Sequence, residues 1–237
     1  MAATLPAPRT QVPSPPEPRG PLSARQALQQ IARACVQQIQ ENEPKLRRSR
    51  SPEALHQIRV ALRRWRTALA IFGPASGSGQ GRTRSTLKWL AGELNEARDL
   101  DVYAAAFESR RREDQGAEAL WTALEAARAR AYARADEALQ SDRLRRLLWR
   151  TAQIGRPAAN DDDGPDARKL AAAALEHRWR RLAKRGRNIA RLDPPTRHRL
   201  RIQAKKLRYG AELCGRMFGQ PRRQRKIARA LRRCRIR

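Results

Sequence analysis

Residues 56–66 read HQIRVALRRWR, and residues 198–208 read HRLRIQAKKLR. They align without a gap at an offset of 142 (198 − 56 = 142). His56 matches His198, Arg59 matches Arg201, and Arg66 matches Arg208. Arg63 and Arg64 match Lys205 and Lys206, while Ile58, Val60 and Trp65 match Leu200, Ile202 and Leu207. Two of the three histidines of the chain occupy this one repeated position. A repeat of this kind is the mark of a structural unit used twice.

Wound at 100° per residue, each copy separates into two faces. His56, Arg59, Arg63 and Arg66 fall within about 80° of one another, opposite Ile58, Leu62, Trp65, Leu69 and Phe72. His198, Arg201, Lys205 and Arg208 do the same against Leu200, Ala204, Leu207 and Ala211. Each copy is thus a helix with a core face and a cationic stripe about 15 Å long. Stacking like charges at i,i+3 and i,i+4 costs several tenths of a kcal/mol per pair. No Asp or Glu stands between residues 54 and 92 to offset that cost locally. A facing anion with closely spaced charges removes it, and the planar guanidinium fork suits phosphate oxygens. A histidine on the stripe adds a proton switch. A plain solvated face is the competing reading, and the recurrence of the stripe with both histidines in register argues against it. Neither histidine has a second His, Cys or carboxylate at i+3 or i+4, so a metal site is not expected; His177 lies outside the repeat.

The rest of the chain fits an all-helical protein. Of 237 residues, 40% are apolar and 32% charged, enough for a core in one large or two small domains. The formal net charge of +29 speaks to partners rather than fold. From residue 22 the chain is rich in Ala, Leu, Arg, Gln and Glu, good helix formers, without the alternation of a strand. Breakers (Pro44, Ser49 to Pro52, Gly73 to Gly81, Gly155 to Pro165 and Asp193 to Pro195) predict helices over 22–47, 53–72, 83–112, 116–153, 166–190, 195–217 and 222–236. Residues 1–21, with seven prolines and no apolar stretch, read as a disordered tail rather than a signal peptide. Asn160 to Asp166 (NDDDGPD) reads as part of a solvated linker over 155–165, with Asp166 helping to start the next helix. The domain then covers 22–237, with halves at 22–154 and 166–237.

Cys35, Cys214 and Cys234 form no CxxC pair, and no apolar run approaches the ~20 residues of a membrane span. A reducing, cytoplasmic location is the expectation. No P-loop, GxSxG or HExxH motif is present. Glu41-Asn42-Glu43-Pro44-Lys45 matches the ExExK pattern of triphosphate-tunnel enzymes literally, but it lies at the end of a helix with Pro44 inside it. The expectation is therefore a binding protein without cofactor, not an enzyme. Nucleic acid is the alternative partner: a chain this basic attracts it at low salt. Specific reading needs base-edge contacts or exposed stacking aromatics, and the chain has only five Trp, three Tyr and three Phe.

Three stretches closely resemble the signatures of the CHAD family, the conserved-histidine α-helical domain. They are SPEALHQIRVALRRWRTALAIF (51–72), LKWLAGELNEARDLDVY (87–103) and RHRLRIQAKKLRYGAEL (197–213), in the family's order. The resemblance implies two pseudo-symmetric antiparallel helical bundles with a basic groove between or along them. It also implies binding of inorganic polyphosphate and, in many bacteria, location at polyphosphate granules. The contacts it implies are His56, Arg59, Arg63, Arg64 and Arg66 with His198, Arg201, Lys205, Lys206 and Arg208. Lys88 and Arg98 of the second signature are expected to reach the ligand as well, with Asp99 and Asp101 organising the site by pairing with nearby Arg or by capping backbone amides. Protein partners are not indicated. In one respect the chain departs from the pattern. The family closes its second half with a helix equivalent to residues 90–99, and at the offset of 142 the partner of Asp99 would be residue 241. The second bundle is therefore expected to be incomplete.

Overall fold

The computed structural model describes residues 22–76, 80–111, 117–153 and 164–218, and every named element among them is helical. In order, these are α1 (Ala24–Ser49), α2 (Pro52–Phe72), α3 (Gln80–Glu93), α4 (Asn95–Arg111), α5 (Ala117–Gln140), α6 (Asp142–Gln153), α7 (Ala167–Gly186) and α8 (Pro194–Cys214). Short 3-10 turns follow α2 (Gly73–Ala75), α7 (Ile189–Arg191) and α8 (Gly215–Phe218). The tail over 1–21, nearly all of the 155–165 linker, the helix expected at 222–236 and the closure of the second bundle lie outside the described residues.

The repeat is structural. Shifted by 142, Pro52–Phe72 becomes 194–214, the bounds of α8, and the turn after α2 falls on the turn after α8. Both helices open on a cap residue followed by proline: Ser51-Pro52 and Asp193-Pro194. Proline suits a first helical position, where its missing N–H costs nothing. The starts of α1 and α7 also meet. Ala24 N–H donates to the Pro165 carbonyl at 2.8 Å, and Ala167 N–H donates to the Leu22 carbonyl at 2.8 Å. This reciprocal pair joins the two cap residues, Ser23 and Asp166, in an antiparallel bridge. Such a bridge has a local twofold axis, so the halves begin on either side of one symmetric contact. Each cap is satisfied: Ser23 and Gln26 form a capping box, and Asp166 Oδ1 accepts from Lys169 N–H at 2.7 Å.

The core gathers on α2. Leu55, Ile58, Leu62, Trp65, Leu69 and Phe72 are all essentially inaccessible to solvent. They pack α2 against α1, α3, α4, α7 and α8. On the α1 side the seam also holds a polar chain. Arg64 Nη1 donates to Gln38 Oε1 at 3.3 Å, Gln38 Nε2 donates to Gln57 Oε1 at 2.9 Å, and Gln57 donates to Glu53. Buried amides linked in this way avoid the cost of an unpaired polar group.

Several sequence expectations change. The first helix, expected over 22–47 with Pro44 inside it, runs on to Ser49, with Asn42 and Leu46 buried on the turns adjoining the proline. The chain reverses instead at Arg50, the only described non-glycine residue with positive φ (47°). The literal ExExK match therefore lies within a helix. The span 83–112 breaks at Leu94 into α3 and α4, and the span 116–153 breaks at Ser141 into α5 and α6. Ser141 acts as a fresh cap: its Oγ accepts from Leu144 N–H at 3.3 Å. Leu94 is fully buried, which pins the other bend to the core.

The pair α3–α4 runs antiparallel to α5–α6. Arg143 meets Thr86 and Trp89 at one end, Arg134 meets Glu96 in the middle, and Arg128 meets Asp101 beyond it. Asp101 anchors this hairpin. It is 5% exposed, accepts from Arg128 Nη2 at 2.8 Å and accepts from the Tyr132 hydroxyl at 2.9 Å. Burial, reinforced by the neighbouring Asp101 carboxylate, holds the Tyr132 phenol protonated well above its ordinary range. Asp101→Ala strands the Tyr132 hydroxyl and leaves Arg128 with Glu125 as its carboxylate partner. It is expected to cost about 2–4 kcal/mol, toward the lower end because Arg128 retains partial access to water. Urea denaturation would measure the loss.

Candidate polyanion-binding groove

The buried face of α2 leaves one strip of that helix open, and the strip carries His56, Arg59 and Arg63, all half-buried. One wall comes from the α3–α4 bend. Arg59 Nη1 donates to Asn95 Oδ1 at 2.8 Å and approaches the Ala91 carbonyl at 3.4 Å. These bonds hold the guanidinium in place and leave its other N–H groups for a ligand. Burial is the chief influence lowering the Arg59 pKa, the charge of Asp99 opposes it, and Arg98 and Arg63 add to the lowering. A guanidinium nevertheless stays charged at neutral pH.

His56 sits within reach of the charges of Arg59, Arg63 and Arg98. Burial lowers its pKa below the usual 6.5, and Arg98, Arg63 and Arg59 lower it further; only Glu53 works the other way. In the free protein His56 is therefore predominantly neutral at pH 7. Its environment is short of negative charge in just the way an incoming anion would correct.

The second stripe meets the first where α2 and α8 pack together. Arg63 Cζ lies 4.3 Å from the centroid of the Tyr209 ring, and Arg208 Cζ lies 4.9 Å from the same centroid. Arg208 also has Glu212 Oε1 at 3.8 Å from its Nε, an ion pair too long to be a hydrogen bond. The crossing is tight: a Cβ added at Gly210 would stand 2.8 Å from Leu175 Cδ2 and 3.5 Å from Ile71 Cδ1.

The structure thus brings together His56, Arg59 and Arg63 of α2, Arg98 of α4 and Arg208 of α8. Arg66 continues the α2 stripe but is exposed. Lys88 is exposed on α3, one turn before Ala91. His198, Arg201, Lys205 and Lys206 are exposed along α8, a more open setting than that of their α2 counterparts. Arg64 is set apart: its side chain turns to α1 and the Gln38–Gln57 chain, away from the stripe. Asp99 acts on Arg59, whereas Asp101 points into the α4–α5 seam. Asn95 and Tyr209 were not foreseen. Tyr209 stands about 20° from His198 on the helical wheel, so its place on the stripe was legible. The role of Asn95 depends on the bend at Leu94, which the helical periodicity of 83–112 does not announce.

Among the described residues no cluster of three or more His, Cys, Asp or Glu is placed to hold a metal ion, and no helix is long and apolar enough to cross a membrane. Cys35 and Cys214 are buried, and burial pushes both thiols up to about 12.

The comparisons agree with this architecture. The family model described as CHAD domain matches residues 30–235. The crystal structure of the CHAD domain from the plant Ricinus communis superposes with a TM-score of 0.76 at 27% identity, covering 92% of this chain and 74% of that one. PptA from Streptomyces chartreusis superposes with a TM-score of 0.58 at 19% identity, covering 90% of this chain and 82% of that one, a likeness of fold. No curated protein sequence matches the chain. With a helical repeat arranged about a symmetric bridge, and with the family model spanning both halves, the chain belongs to the CHAD domain family.

Proposed function

We propose that this protein is a non-catalytic binding module for inorganic polyphosphate, acting in the cytoplasm and at polyphosphate granules. The observation that carries the reading is the convergence of His56, Arg59, Arg63 and Arg98 on one half-buried strip, continued by Arg208 across the α2–α8 crossing. Polyphosphate carries a regular row of charge and no bases, and the strip offers a row of forked guanidinium donors. A linear phosphate chain can take bidentate bonds from successive guanidiniums, and the partial burial of Arg59 strengthens each such bond over one made in open water. On this reading binding involves no bond cleavage.

Nucleic acid is the competing ligand, because the net charge of +29 attracts any polyanion at low salt. At ~0.15 M salt, where surface charges are screened beyond about 8 Å, long-chain polyphosphate is expected to outcompete duplex DNA and RNA at equal phosphate concentration. Displacement of polyphosphate by DNA would refute the assignment. The double variant Arg59→Ala/Arg63→Ala should lose about 30-fold in polyphosphate affinity, on the basis of roughly 1 kcal/mol per charge-assisted contact, with its helical circular dichroism unchanged.

The titration of His56 gives the groove a pH dependence of definite sign. A bound polyanion raises the His56 pKa above its lowered free value, so binding takes up a proton. Affinity is therefore expected to rise as pH falls from the bound-state pKa to the free-state pKa, by at most about tenfold per pH unit, and to level off below the free value. His56→Gln should remove this increment, and calorimetry in buffers of different ionisation enthalpy would count the proton. Incubation of the protein with polyphosphate and Mg²⁺ or Mn²⁺ should release no phosphate; turnover would show the binding-only reading to be wrong.

A further inference from the structure

Ala70 is exposed and lies inside the arc of about 80° that holds His56, Arg59, Arg63 and Arg66, about 6 Å along α2 beyond Arg66. Its carbonyl is among the last of the helix. The N–H that would close on it belongs to residue 74, which is proline, and the Gly73 N–H goes to the Leu69 carbonyl. A side chain from the other half of the molecule takes that place: Arg178 Nη2 of α7 donates to the Ala70 carbonyl at 3.2 Å. A Cβ added at Gly210 of α8 would stand 3.4 Å from Arg178 Nη1, so this guanidinium sits where α2, α7 and α8 meet. Gly210 follows Tyr209, the ring over which Arg63 lies.

Arg178 is half-buried, and burial lowers its pKa. Cys214 acts the other way, but its thiol is pushed up to about 12 and is uncharged at pH 7. Among the described residues no carboxylate pairs with Arg178, yet a guanidinium stays charged at neutral pH. One of its N–H donors serves Ala70, which leaves others for a ligand. Its location also answers an electrostatic need of the stripe. The C-terminal end of a helix carries a partial negative charge, and α2 has no basic residue in its last turn. An anion running along the stripe from His56 would meet an adverse field at that end, and Arg178 reverses its sign. The repeat does not announce this cation: the counterpart at the offset of 142 is Val36 (178 − 142 = 36), an apolar residue packed against the core.

We propose that Arg178 of α7 is a further binding residue for the polyanion, extending the α2 stripe past Arg66 to the C-terminal end of that helix. This rests on the polyphosphate reading above. The hydrogen bond to Ala70 seats the guanidinium before the ligand arrives, which reduces the ordering that binding would otherwise impose. The plainer role, a clamp between α7 and α2, uses the same hydrogen bond but gives Arg178 no contact with the ligand.

The test is calorimetric titration of the full chain with long-chain polyphosphate over a series of salt concentrations. Arg178→Met keeps an apolar stem and removes the charge. Affinity should fall about tenfold at ~0.15 M salt. The slope of log K against log[salt] should become shallower by about 0.7–0.9, the counterion release per phosphate contact in nucleic acids. Pro74→Ala supplies the backbone N–H that the Ala70 carbonyl lacks. Added to Arg178→Met, it should recover neither affinity nor slope, whereas on the clamp reading it restores affinity. Unchanged affinity in Arg178→Met overturns the proposal, as does a loss that keeps the wild-type slope or a loss that Pro74→Ala reverses. Should Arg178→Met lose helicity, Arg178→Gln, which keeps a donor for the Ala70 carbonyl, is read on the same two measures with the same outcomes. If wild-type protein fails to prefer polyphosphate over DNA, the ligand assignment itself falls. If it shows that preference while the Arg178 variants keep wild-type affinity and slope, only the role of Arg178 falls.

Discussion

Everything in this protein depends on one helix being buried on three sides and charged on the fourth. The apolar face of α2 is shared among α1, α3, α4, α7 and α8, and Leu55, Ile58, Leu62, Trp65, Leu69 and Phe72 leave no solvent-accessible gap along it. Burial of that many large side chains, each worth about 1.5–3 kcal/mol, holds the helix where it is. The cations on its remaining strip are thereby fixed in a mutually repulsive arrangement that the free energy of the core maintains. Repulsion sustained by packing leaves the strip short of negative charge.

Partial burial sharpens the effect. Burial lowers the pKa of both His56 and Arg59, and neighbouring cations lower it further, so this half-buried part of the strip is biased toward positive charge. The α3–α4 bend supplies one wall of it, with Asn95 at the start of α4 holding Arg59. The α8 stripe has the same residue pattern but stands more exposed. One sequence pattern used twice therefore yields two electrostatic settings, according to what packs beside it.

The acidic residues near the groove have separate tasks. Asp101 is a structural anchor for the α4–α5 hairpin, satisfied by Arg128 and Tyr132. Asp99 and Glu53 moderate the positive field at Arg59 and His56 without pairing with the whole stripe. Glu212 stands near Arg208 at the junction. Enough negative charge is present to keep the fold together, and too little to neutralise the groove.

The sequence by itself determined the helical class, the repeat at offset 142 and the two faces of α2 and α8, because helical periodicity is a local property of side-chain order. It also determined the cap at Asp166, which depends on a residue only three positions away. Tertiary structure decided the rest. Arg64 belongs to the repeated motif yet turns to Gln38, since a position about 80° off the stripe meets whichever helix lies there. The breaks at Leu94 and Ser141 divide spans that periodicity reads as continuous, and the first of them delivers Asn95 to Arg59. Whether two cationic stripes form one site or two depends on which helices pack together. Here α2 packs against α8, and the ring of Tyr209 has both Arg63 and Arg208 over it, residues some 145 positions apart (209 − 63 = 146, 208 − 63 = 145) that no local pattern connects.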